Sequence, residues 1–349
     1  MSIDLTKLNP EQRAGALHLG GPLLVLAGAG TGKTRVITYR IAQLIEAGVP
    51  AERILAVTFT NKAAGEMRHR IEELAPGKGA LVWAHTFHAF CCRLLRQHHA
   101  LLKLPKHFTI YDQGDQKKLV IEAMKELGLE EQTNKAGMYV SIISRAKDDM
   151  LDAQSYSIYA ATAVDAARQT AARIYLSYQK KLDAAGSLDF GDLLLKTCIL
   201  LKEHQSVREY YQEYFLHTLV DEYQDTNHAQ YILTKTLAAK HRNICVVGDD
   251  DQSVYSWRGA NIRNILEFER DFKDAKVVTL EQNYRSTAVI LEAAGKVIRH
   301  NKSRKIKNLW TQKPPGEVIH VQELANEMDE ASWVIRRCED QISQGRSLN

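Results

Sequence analysis

Leu23-Leu24-Val25-Leu26, followed by Ala27-Gly28-Ala29-Gly30-Thr31-Gly32-Lys33-Thr34, is the stretch on which the reading of this chain turns. Four apolar residues running into a glycine-rich segment describe a short buried strand that enters a tight turn. Glycines accept positive φ and leave consecutive backbone N–H groups open to a phosphate chain. In such a loop a lysine reaches the β- and γ-phosphates, and the next hydroxyl ligates Mg²⁺. Lys33 and Thr34 hold those positions, while Ala27 stands where the pattern usually has its first glycine. Beyond Arg35, the residues Ile37, Ile41, Leu44 and Ile45 fall on one helical face. The order strand, loop, helix is that of a nucleoside-triphosphate cradle, with a plain glycine turn as the alternative.

Upstream, Asn9 and Pro10 predict a capped helix start. Gln12 in its first turn has an amide that can read adenine through two hydrogen bonds, although a capped helix alone would explain it. Downstream, strands are predicted over 54–57 and 80–84, ending in Thr58-Phe59-Thr60-Asn61-Lys62 and His85-Thr86-Phe87-His88. Strands alternating with helices predict a parallel sheet covered on both faces, with ligands at the carboxyl ends of its strands. From 104 to 182 helical periodicity dominates (Leu119, Ile121, Met124; then Ile174, Tyr175, Tyr178), which reads as a helical domain inserted into the sheet. Leu188-Asp189-Phe190 marks the return.

The sheet resumes at 217–220 and ends in Asp221-Glu222. Asp221 is the candidate for the Mg²⁺ shell, and Glu222 for orienting and deprotonating a water. A strand over 244–247 leads to Asp249-Asp250-Asp251-Gln252, then Tyr255, Trp257 and Arg258. Gln252 suits a γ-phosphate sensor, and the two aromatics offer flat faces to unstacked bases. The strand 277–280 ends in Gln282-Asn283-Tyr284-Arg285-Ser286. Basic residues between Arg299 and Lys307 fit phosphate contacts and a solvated loop equally well.

Composition is that of a globular protein, with 45% hydrophobic and 25% charged residues, and a net charge of +4 permits a nucleic-acid partner without requiring one. Five cysteines, an odd count without a C-x-x-C pair, argue against a disulfide framework, and packing where a strand hands over to an amphipathic helix explains the cluster His85, His88, Cys91 and Cys92 better than a metal site does. No signal pattern or long apolar run is visible, so a cytoplasmic location is expected.

Taken together, these segments resemble the superfamily-1 DNA helicases of the UvrD/Rep/PcrA kind, and the wording of 249–260 is most similar to Rep. Residues 8–12, 27–34, 58–64, 85–88, 220–226, 248–260 and 282–286 match that family's motifs in order. The resemblance implies an α/β fold: a RecA-like P-loop parallel sheet (1–103 and 188–280), an inserted all-helical domain (104–187), and the beginning of a second RecA-like core (281–349). It also implies an ATP- and Mg²⁺-dependent hydrolase translocating 3′ to 5′ on single-stranded DNA, acting at single-strand/duplex junctions, with replication and repair proteins as partners. Arg35 and Tyr284 would sandwich adenine with Gln12 at its edge, and Arg285 would be an arginine finger. Phe59, Thr60, Asn61, His85, Thr86, Phe87, Tyr255, Trp257 and Arg258 would contact DNA. Two later motifs of the family, T-x-H-x-x-K-G and T-R, do not occur in these 349 residues, so the chain is expected to represent the N-terminal portion, with little activity alone. A stand-alone module that binds ATP and single strands without turnover is the alternative. A P-loop kinase accounts less well for Gln252 and Arg285.

Overall fold

The computed structural model describes residues 3–162, 165–256, 259–302 and 304–347. Among the described residues eight strands form, in chain order β1 (Leu23–Ala27), β2 (Ile54–Thr58), β3 (Trp83–Thr86), β4 (Thr109–Tyr111), β5 (Ser187–Asp189), β6 (His217–Val220), β7 (Ile244–Gly248) and β8 (Lys276–Leu280). Six of them make one parallel sheet in the order β3-β2-β6-β7-β1-β8. Its central strands are unbroken apolar runs because both faces are covered. Leu24, Leu26, Leu55, Val57, Val220 and Val246 point into one apolar layer. Their neighbours Leu23, Val25, Ile54, Ala56, Leu219 and Cys245 point into the other. This alternation is the two-residue period of a strand.

Helix α1 (Pro10–Leu17) packs on α2 (Lys33–Glu46), which with α3 (Asn61–Leu74) covers one face of the sheet. Helix α4 (Phe87–Gln97) helps to cover the other. The insert holds α5 (Gln113–Glu126), α6 (Ala136–Asp148), α7 (Ala153–Ala161) and α8 (Ala166–Ala184) around a separate core of Val120, Met124, Ile143, Ile174, Tyr175 and Leu182. Helices α9 (Phe190–Glu203), α10 (Gln205–Tyr214) and α11 (His228–Ala238) return to the face of α4. Two single turns, α12 (Arg263–Leu266) and α13 (Phe268–Asp271), precede β8. Beyond it come α14 (Ala288–Ile298) and α15 (Glu327–Ser343), in which no described residue is buried. Among the described residues no helix is long and apolar enough to cross a membrane.

Two expectations need correction. The third strand lies at Trp83–Thr86, not at 80–84: the Glu72 carboxylate accepts the N–H groups of Gly77 and Ala80 and holds 79–81 in a 3-10 turn. The insert is not all-helical at its base, where β4 and β5 pair in parallel from Thr109↔Ser187 to Tyr111↔Asp189. Strands of three residues are too short to show a period. Residues 317–321 form no strand; Val318, Ile319 and Val321 are exposed, with no described strand beside them to pair with.

Candidate functional site

Between β1 and α2 the chain turns through Gly30 at φ +71° and Gly32 at φ +91°. A Cβ on Gly32 would lie 2.7 Å from Gln12 Nε2, and one on Gly30 2.7 Å from Arg285 Cβ. Both conformation and space therefore demand glycine. Gly32 caps α2 without a side-chain acceptor, so the first N–H groups of that helix face the loop unclaimed by a cap. Gln12 is buried, donates to the Thr31 carbonyl at 2.8 Å and accepts from the Asn9 N–H at 3.2 Å. Its amide, expected at an adenine edge, here ties the helix cap to the loop.

At the end of β6, Asp221 is buried and its carboxylate accepts the Glu222 N–H at 3.0 Å. Burial, reinforced by the Glu222 charge and opposed by Lys33, pushes its pKa up to about 7. Glu222 sits at φ +51°, a conformation that costs a bulky residue roughly 1–3 kcal/mol. Its carboxylate lies 2.5 Å from Lys33 Nζ and accepts from Gln224 Nε2 at 2.9 Å. Strain placed here is over-determined by those two partners.

The opposite wall comes from the segment after β8. Asn283 Nδ2 donates to the Ala29 carbonyl at 2.6 Å, and the Tyr284 N–H to the Gly30 carbonyl at 2.9 Å. Asn283 Oδ1 accepts the N–H groups of Arg285 and Ser286. Lys33, Thr34, Arg35, Glu222, Gln252, Tyr284 and Arg285 consequently line one cleft of about 390 Å³. Glu66 and Arg70 of α3, paired with each other, line it too. In the sequence they look like an ordinary i,i+4 ion pair on a solvated helix, so nothing marked them. The donor set fits a magnesium triphosphate: open N–H groups, an ammonium, a hydroxyl and a strand-end carboxylate.

A second cavity of about 1130 Å³ lies between the sheet ends and the insert, with Phe59, Thr60, His88, Phe190, Gln224 and Tyr255 among its lining residues. Phe59 is half-buried and meets Phe87 edge-on, with ring centroids 5.8 Å apart. Phe87 itself is 1% exposed and belongs to the apolar core, so it has no face to offer a base; that expectation is corrected. Thr86 is buried, and its hydroxyl caps α4 by accepting the Ala89 N–H. Thr60 caps α3 in the same way, leaving Asn61 exposed in the first turn. His85 packs edge-on against Trp83 and is not among the residues lining this cavity; burial, then Arg68 and Arg93, lowers its pKa. Trp257 and Arg258 lie outside the described residues.

Of the strand-end group 85–88, His88 lines this groove, and so do Phe190, Arg145 and Asp148, which the sequence did not single out. Burial lowers the His88 pKa to about 4, so its ring, edge-on to Phe190, is uncharged at neutral pH. The only available signal was an aromatic, Phe190, placed directly at a helix start. Asp148 accepts from Asn227 Nδ2 at 2.6 Å, and its pKa is pushed up to about 7 by burial, then by Asp149 and Asp189. A carboxyl whose folded pKa exceeds the unfolded value stabilises fully below about pH 4, and that contribution disappears as pH rises through about 7. Asp148→Asn mimics the protonated form. It should raise the melting temperature by at least ~2 °C at pH 8 and leave it unchanged at pH 4, read by circular dichroism melts. Equal effects at both pH values would refute the assignment.

Comparison with known proteins places residues 8–273 in the UvrD/REP helicase N-terminal domain and residues 278–349 in the UvrD-like helicase C-terminal domain. The chain belongs to the UvrD/REP helicase family. It is 45% identical over 340 residues to the ATP-dependent DNA helicase PcrA of Staphylococcus aureus, and 44% identical over the same length to that of Staphylococcus epidermidis. These matches cover 96% of this chain and 46% of each relative, so the chain spans about half the length of the curated relatives it matches. The glycine loop, Glu222 and the Tyr284-Arg285 step all line one cleft, while Asp221 and Asn283 lie buried beside it.

Proposed function

We propose that this chain carries the nucleotide-hydrolysing and strand-gripping machinery of an ATP-dependent DNA helicase that moves 3′ to 5′ on single-stranded DNA. The observation that carries this reading is that Glu222 and Gln252 line both cavities. A residue pair shared by a phosphate cleft and an aromatic groove is the shortest possible link between hydrolysis and a nucleic-acid grip. In this reading 1–103 with 188–280 form the first core, 104–187 the insert, and 281–349 the start of the second core. Lys33 leaves Glu222 for the phosphates, and Glu222, thereby released, takes the proton of the attacking water. Arg285 approaches from the other wall to offset charge developing on the γ-phosphate. Thr34 and Asp221 would hold Mg²⁺, which would supply further neutralisation of the phosphate oxygens. Arg35 and Tyr284 flank the place of the base, and Gln252 reports the γ-phosphate. Phe59 and Tyr255 offer stacking surfaces to bases, with Thr60 and Asn61 beside the backbone. Action at single-strand/duplex junctions, in the cytoplasm and alongside replication and repair proteins, follows from the same reading.

The test combines ATP turnover with anisotropy of a labelled oligo-dT. Single strands should bind with a steep salt dependence and stimulate turnover. Phe59→Ala should weaken the oligonucleotide by about 1–3 kcal/mol, the contribution of one base–aromatic stack. Binding of both ligands without any turnover would favour the stand-alone binding module instead.

A further inference from the structure

Lys307, one of the basic residues without an assigned place in the sequence, is buried. Its ammonium lies 3.2 Å from Asp249 Oδ1, 3.2 Å from Asp251 Oδ2, and in still closer contact with Asp250. Three carboxylates within 4.8 Å of one another form a cation cage, and the cation seated in it is the chain's own. Arg304 closes the cage from outside, its Nε 2.9 Å and Nη2 2.7 Å from the two oxygens of Asp251. The Lys305 N–H donates to Asp250 Oδ2 at 2.7 Å. Burial alone would lower the Lys307 pKa, but Asp250, Asp249 and Asp251 outweigh it and hold the ammonium charged.

The cage continues into the ATP cleft. The Asp249 carboxylate accepts from the Gln252 side chain. The Asp249 N–H donates to Gln224 Oε1 at 3.0 Å, and Gln224 Nε2 donates to Glu222 Oε2 at 2.9 Å. On the other side, Leu309 covers Gly28, where a Cβ would come within 2.4 Å of it. The Asn308 N–H donates to Glu281 Oε1, the Trp310 N–H to the Glu281 carbonyl, and the Asn283 N–H to the Trp310 carbonyl, two residues before Arg285.

We infer that Lys307 is a positioning residue for the ATP site: seated among Asp249, Asp250 and Asp251, it latches the segment 304–310 onto the end of β7 and so holds Gln252 and Glu222 in register with Arg285. The inference rests on reading the cleft as an ATPase site. Removal of the ammonium leaves three carboxylates facing one another, which loosens the latch and with it both glutamine links.

The test uses the 349-residue chain with Lys307→Ala and Lys307→Arg. Backbone exchange at Gln252, Lys305, Asn308 and Trp310 should accelerate about tenfold or more in Lys307→Ala. Turnover should fall about tenfold or more, while affinity for a fluorescent ATP analogue stays within about threefold, since Lys33 and its loop are untouched. Ethylammonium, which can refill the space, should restore slow exchange and turnover, and Lys307→Arg should retain most of both. Unchanged exchange overturns the inference. So does a loss of folding or of nucleotide affinity that neither ethylammonium nor the arginine repairs, because that is the behaviour of a merely structural lysine. A wild-type chain that hydrolyses no ATP overturns the ATPase reading, and with it the positioning role; the exchange rates then report only whether a latch exists.

Discussion

Lys33→Ala should weaken binding of ATP by about 10–100-fold, the ~1.5–3 kcal/mol of a charge-assisted hydrogen bond, whereas Glu222→Gln should leave binding intact or tighter. The asymmetry comes from their pairing at 2.5 Å. Glu222 competes with a phosphate for the one ammonium of the loop, so neutralising Glu222 removes a competitor and not a ligand. Hydrolysis behaves differently. Glu222→Gln deletes the proton acceptor and should slow turnover by about 10²–10⁴-fold with the nucleotide still bound. A fluorescent-nucleotide titration set beside single-turnover hydrolysis separates the two effects. Equal loss of affinity in both variants would show that Glu222 holds the phosphate cradle and is not the base.

The second large effect is on stability. Lys147 of α6 has a fully buried side chain, 2.7 Å from Asp189 and 2.9 Å from Asp192. Tyr178 of α8 donates its hydroxyl to the same oxygen of Asp189 at 2.7 Å. The ion cluster thus joins the insert to the end of β5 and the first turn of α9, which Asp189 also caps. Burial would lower the Lys147 pKa, but Asp189 and Asp192 offset it and hold it above the ordinary lysine value. Its contribution is therefore complete at neutral pH and is lost only as pH climbs past that raised value. Lys147→Ala leaves two carboxylates buried without a counter-charge, at a cost of about 3–5 kcal/mol. The melting temperature should drop by roughly 4–7 °C. Adding Asp189→Asn and Asp192→Asn should recover most of the loss, since an asparagine still caps α9 and no buried charge remains. A single variant melting within about 2 °C of wild type would show that the cluster contributes little.

What the sequence determined by itself is what local geometry decides. The run 23–34 is legible because an apolar strand, glycines at positive φ and an amphipathic helix are each set by a few neighbouring residues. The buried strands ending in Thr58, Asp221-Glu222 and Gly248 are legible for the same reason, and parallel order follows from the helices between them. Tertiary structure alone decided which of two similar residues faces a ligand. Phe59 and Phe87 both follow strands and touch on the same face of the sheet, yet Phe59 stays half-buried at the groove while Phe87, the first residue of α4, is driven into the core by the packing of that helix. Lys307 looked like any solvated lysine until the fold brought it to Asp250, 57 residues away in sequence. Pattern fixes backbone conformation; the burial and pairing of a charge depend on distant chain, which no local period encodes.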